Sequence, residues 1–108
     1  MIVCVPVLSN GLVDPRWGRA DSIAVVEVED GGIENWQESD VSWSTLHDTG
    51  TPARHHARVA RFLKENHVEV VVADHVGEGM VKMLDTMGIE LHLGAHGPAR
   101  DAVLRTIH

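Results

Sequence analysis

Cys4 is the only cysteine in the sequence, so no disulfide can close within the chain and no Cys-x-x-Cys site exists. An iron–sulfur cluster held by four thiolates of this chain is excluded on the same ground. Basic residues are also scarce. Nine Lys and Arg stand against sixteen Asp and Glu, a net charge of −7. A phosphate backbone calls for the opposite surplus, so nucleic acid is not an expected partner. No run approaches the roughly 18 apolar residues of a membrane helix, and no membrane association is expected. The opening residues, Met1 to Val7, show neither a basic n-region nor a long apolar h-region, which points to the cytoplasm.

What is present suits one domain spanning residues 1–108. Apolar residues make up 44 % of the chain, enough for a packed core in a length too short for two. Ile2 to Leu8 is a nearly continuous apolar run, as in a strand buried on both faces. Ser9 to Asp21 is polar and carries the turn signals Asn10-Gly11 and Asp14-Pro15. The Val-rich run Ser22 to Glu29 meets Gly31-Gly32 and then Ile33 to Glu38, which reads as an antiparallel hairpin. Ser39 to Gly50 reads as a loop.

Thr51-Pro52 then opens a helix, with a capping side chain and proline at the first helical position. Ala53, Ala57, Ala60 and Leu63 recur at helical spacing and predict a helix over 52–66; His55 aligns with Val59 and Phe62 and His56 with Val59 and Ala60, so which of the two faces the pocket stays open. Glu69 to Ala73 and Ile89 to Leu93 read as short buried strands. Between them lies a helix over 78–87, closed by Gly88 where a left-handed cap is favoured. A last helix over 98–107 turns Ala99, Ala102, Val103 and Thr106 or Ile107 inward. The order βββαβαβα predicts an RNase H-like α/β fold, a mixed five-stranded sheet flanked by helices. Ile2–Leu8 is expected beside both parallel strands.

In such a sheet, ligands sit outside the carboxyl ends of the strands. Three segments leave strands there: Ser9–Asp21 with Arg16, Trp17 and Arg19; Asp74–Met80 with His75, Gly77 and Gly79; and His92–Gly97 with His96. A fourth contribution is Arg54-His55-His56 in the first turn of the long helix, whose positive end attracts anions. Imidazole, guanidinium, backbone amide and the thioethers of Met80 and Met83 together suit a sulfide-rich anionic cluster in both charge and softness. Each residue also has an ordinary role. Scattered histidines are usually solvated or packed, and His67 and His108 read as surface residues. Met80, Met83, Leu84 and Met87 at helical spacing more often fill a core. Cys4, mid-strand, reads as an inert buried thiol.

The motifs Pro6-Val7, Trp17-Gly18-Arg19-Ala20, Val68 to Ala73, Gly77-Glu78-Gly79-Met80, Met87-Gly88-Ile89 and Arg100-Asp101-Ala102-Val103 occur in an order that spans the chain. In them the sequence resembles the dinitrogenase iron–molybdenum cofactor biosynthesis family, which includes NifX, NafY, the C-terminal part of some NifB proteins and orange protein. The resemblance implies an RNase H-like fold and non-catalytic binding of a preassembled metal–sulfur cluster of Fe–Mo or Mo–Cu type. The implied role is a carrier or assembly protein, a monomer or weak dimer, whose partner is a cofactor-assembly or acceptor protein. The sequence departs from the family at Asp74-His75 and at Thr51 to His56, where members are often Gly-rich. Both departures add imidazole. The cofactor-binding set is then Arg16, Trp17, Arg19, Arg54, His55, His56, His75, Gly77, Gly79, Met80 and His96. An alternative is a mononuclear transition-metal or small-anion binder using His55, His56, His75 and His96 as ligands. A nuclease of this fold needs a carboxylate from the first strand, and Val3, Cys4 and Val5 supply none.

Overall fold

The computed structural model describes residues 1–107; His108 lies outside them. One mixed sheet organises the chain. β1 (Ile2–Val7) is its centre, and strand order runs β3-β2-β1-β4-β5. β2 (Ser22–Glu29) and β3 (Gly32–Asp40) form the antiparallel side, while β4 (Val70–Val72) and β5 (Glu90–His92) are parallel to β1 and to each other. This is the RNase H-like arrangement predicted from the element order. One expectation needs correction: β1 lies beside β4 alone, and β5 is one strand further out.

The apolar run of β1 is explained by its place, since neighbouring residues of a strand point to opposite faces. Cys4 belongs to the core under α2 (Pro52–Glu65) and α3 (Glu78–Thr86), with Ile23, Val59, Leu63, Val71 and Leu84. Val3, Val5 and Val7 belong to the core under α4 (Ala99–Ile107), with Ala99, Ala102 and Val103. Both faces of the central strand are therefore dry. Gly88, at φ 73, ends α3 in the left-handed conformation that glycine adopts without steric cost.

One local reading is corrected, and one open choice is decided. Residues 39–50 are not all loop: β3 continues to Asp40, and a short α1 (Trp43–Leu46) follows. Trp43 is the cause. It is 2 % exposed and packs edge-on against Trp17 and Phe62, each at 5.6 Å. On α2 the covered stripe is that of His55 and Val59, not that of the alanines. His55, Val59 and Leu63 are buried, Ala53 and Ala57 are exposed, and Ala60 is half-buried. Apolar area decides the rotation, because Val59, Leu63 and the half-buried Phe62 remove far more surface from water than alanines can.

Candidate functional site

At the carboxyl ends of β1 and β4 the chain opens into a cleft of about 300 Å³. Its first wall is the segment after β1. Asp14 is 1 % exposed there and accepts from the Arg16 backbone N–H at 2.9 Å and from Arg16 Nε at 3.2 Å. That hydrogen bond and charge push the Arg16 guanidinium further above its ordinary value, so it stays cationic. A single 3-10 turn, Trp17–Arg19, follows. It buries the Trp17 ring and leaves Arg19 half exposed, 3.6 Å from Asp48.

The second wall is the start of α2. Thr51 caps that helix, its hydroxyl accepting from the Arg54 backbone N–H at 3.1 Å. One turn in, His55 is 2 % exposed. Its Nε2 donates to the Gly18 carbonyl at 2.8 Å, which leaves Nδ1 to accept from Arg58 Nη1 at 2.9 Å. Burial lowers its pKa, the Gly18 bond opposes that, and the nearby His47, Arg58 and His56 lower it again. His55 is thus a neutral imidazole with both nitrogens engaged, and it ties α2 to the Trp17–Arg19 turn. His56, next along, is half-buried and has no such partners among the described residues. Its ring lies against Gly79, where an added Cβ would come within 2.9 Å of His56 Cε1.

The third wall is the turn from β4 into α3. His75 is exposed at the rim, and Gly77 caps α3 without any side-chain hydrogen bond. The first amides of α3 are the donors a helix start leaves free. Met80 closes the floor from the core.

Of the expected residues, the cleft gathers Arg16, Trp17, Arg19, His55, His56, His75, Gly77, Gly79 and Met80. Arg54 and His96 are not among them. Arg54 is exposed on the outer side of α2, in a shallow depression with Ala57, Arg58 and Arg61. His96 lies in a separate depression with His92 and Arg105, its Nδ1 donating to the Gly94 carbonyl at 3.0 Å. The strand order explains this: β5 is outermost, and its loop is drawn toward α4 by the Val13 N–H to Gly97 carbonyl bond and by Ala95 packing into that core. Among the described residues no three His, Cys, Asp or Glu side chains converge to hold a metal ion. Of the set His55, His56, His75 and His96, the cleft gathers the first three, and His96 stands apart from them.

The sequence reading misses His47. It lies on the cleft wall, with its Nδ1 donating to Asp48 at 3.2 Å and its ring 5.0 Å from that of His55. The hydrogen bond from His47, and then the charge of Arg19, hold the Asp48 carboxyl below the usual carboxylate range. The signal for it is the spacing Trp43-x-x-x-His47, one helical turn inside a segment that reads as loop. Trp17 adds another donor: its Nε1 is buried on this wall with no hydrogen-bond partner among the described residues.

Fold and cleft together define an RNase H-like α/β protein with a cation-lined cleft at the strand ends. The chain belongs to the dinitrogenase iron-molybdenum cofactor family, whose model matches residues 1–108. Its fold is similar to that of PH0822, with a TM-score of 0.80 at 20 % identity over 99 % of this chain and 90 % of that one. It is also similar to the apo form of orange protein from Desulfovibrio gigas, at 0.76 and 24 % over 98 % and 86 % of the two chains. A NifB-like protein from Thermotoga gives 0.68 and 22 % over 94 % and 83 %. No curated protein sequence matches significantly.

Proposed function

We propose that the chain is a non-catalytic carrier or assembly protein that holds a preassembled, anionic metal–sulfur cluster of Fe–Mo or Mo–Cu type in this cleft. One observation carries the reading. In a chain of net charge −7, the lining among the described residues includes Arg16, Arg19, His47, His55, His56 and His75 and no carboxylate. The acids paired with the two arginines do not line the cleft: Asp14 is buried and Asp48 lines the adjoining depression. The uncapped start of α3 adds neutral backbone donors for sulfide or oxide. No Ser, Thr, Cys, Asp or Glu lines the cleft. A nucleophile paired with a base is thus absent from the lining, which favours holding a cargo over transforming it.

The test is to purify the chain anaerobically from its native host and measure molybdenum, iron, copper and acid-labile sulfide per chain. Wild type should retain a coloured cluster. Replacing Arg19 and His75 with Ala together should weaken retention by about ten-fold or more, while exposed positions such as these cost little stability. Arg54→Ala, off the cleft, is the matched control and should retain cluster like wild type. Equal retention in the double variant would remove the electrostatic rationale. A colourless protein loaded only with single Zn²⁺ or Cu²⁺ ions would replace the cluster reading with mononuclear binding.

A further inference from the structure

The alanines of α2 stay largely in water, and they face a second concavity. Ala57, exposed, and Ala60, half-buried, oppose the half-buried Met83 and Met87 of α3. With Gly79 and Thr86 they line an apolar groove of about 650 Å³ between the two helices. Arg61, Lys64 and Lys82 line it too, three of the nine Lys and Arg of the chain, and among the described residues no carboxylate does. Arg61 is paired with Glu65 at 3.0 Å. Lys64 and Lys82 form no ion pair among the described residues.

We infer that this groove docks an acidic amphipathic helix of a second protein. That this protein delivers or receives the cargo rests on the cluster reading of the neighbouring cleft; the chemistry of the groove does not. The shape favours a helix. Two helices with small residues facing each other leave a trough in which a third backbone can approach closely. Met83 and Met87 are unbranched and polarizable, so they can repack against the ridge that enters. Charge selects the sign. An acidic protein repels acidic partners at range, and a local cationic border is what admits one and fixes its register. The lysine stems cover apolar surface while their ammonium groups remain at the border.

A second copy of the chain fits poorly. In a two-fold contact the same patch meets itself, which would bring two sets of Arg61, Lys64 and Lys82 into one interface. Position gives the docking its purpose. Gly79 belongs to both the groove and the cleft, and the His56 ring lies against it. A helix seated in the groove therefore ends beside the mouth of the cleft.

The experiment uses the full chain, labelled for amide NMR, and a synthetic helical peptide of about four turns with Leu on one face and Glu along both flanks. A second peptide carries Lys in place of Glu. The acidic peptide should shift the amides of Ala57, Ala60, Lys64, Gly79, Lys82, Met83 and Met87. It should bind at least about ten-fold more tightly than the basic one and weaken as salt rises from about 50 to about 500 mM. The Lys64→Glu/Lys82→Glu chain should reverse the preference, which also shows that the variant is folded. Equal affinity for both peptides, no saturable shift, or shifts elsewhere would overturn the proposal. So would saturation of the groove by a second copy in sedimentation, or by a fatty acid that excludes the acidic peptide. The two readings fail separately. Peptide binding is read with the cleft empty, and the Lys64→Glu/Lys82→Glu chain should still retain cluster.

Discussion

His56 owes its position to the missing side chain of Gly79. A methyl group there would sit 2.9 Å from His56 Cε1, closer than carbon atoms approach without something moving. The imidazole is the movable partner, because Gly79 is held in the first turn of α3. Gly79→Ala should therefore swing His56 aside. Alanine is the better helix former by up to about 1 kcal/mol, so the thermal midpoint should hold or rise slightly. Cluster retention should nevertheless fall several-fold. A Gly79→Ala protein whose His56 resonances have moved, yet which retains cluster like wild type, would take His56 out of the binding set. Its neighbour differs. His55 spends both nitrogens on Gly18 and Arg58 and acts by positioning the Trp17–Arg19 turn. Adjacent histidines in sequence read alike; only the packing of α2 separates them.

Among the elements, α2 carries the most weight, since its first turn supplies two cleft residues and its outer flank one wall of the groove. Its start is fixed by the Thr51 cap and Pro52. Thr51→Ala should cost about 1 kcal/mol. That lowers the thermal midpoint by about 4–8 °C for a chain near this size, measurable by calorimetry. An unchanged midpoint would mean that packing alone holds the turn. These boundaries were legible because caps and prolines are local chemistry. The helix phase was not. Ala53, Ala57, Ala60 and Leu63 form as regular a stripe as His55, Val59, Phe62 and Leu63, and only the sheet beneath shows which stripe is covered. The same holds for α1. It exists because Trp43 has an apolar site between Trp17 and Phe62, and neither partner is near it in sequence.

Across the whole molecule, the buried His55 links stability to pH. Its pKa is lowered in the fold from the ordinary 6.5, chiefly by burial. The unfolded chain thus binds a proton that the folded one refuses. The stabilisation is complete above about pH 6.5 and is lost as pH falls below it toward the folded pKa. From this one site the slope cannot exceed about 1.4 kcal/mol per pH unit. Denaturant unfolding between about pH 7.5 and 5.5 should show wild type losing stability, and His55→Gln, which cannot titrate there, should flatten part of that slope. Identical slopes in the two proteins would mean that His55 is protonated as easily in the fold as out of it.

The sequence alone specified the order of the strands and of the three longer helices, the double burial of β1, the helix ends at Thr51 and Gly88, and the chemical types available for a site. Each follows from short-range rules of backbone geometry and apolar periodicity. It also carried the family resemblance, because ordered short motifs survive where overall identity is low. Which donors share a cavity was decided only by tertiary structure. Strand order placed β5 outside β4 and took His96 away, although its loop leaves a parallel strand as the His75 loop does. Packing of Trp43 brought His47 in. The rotation of α2 turned Arg54 outward, buried His55, and left the alanine flank open as a groove. Periodicity gives the spacing of a stripe but not its partner, and the partner is chosen by the apolar area that the whole fold can remove from water.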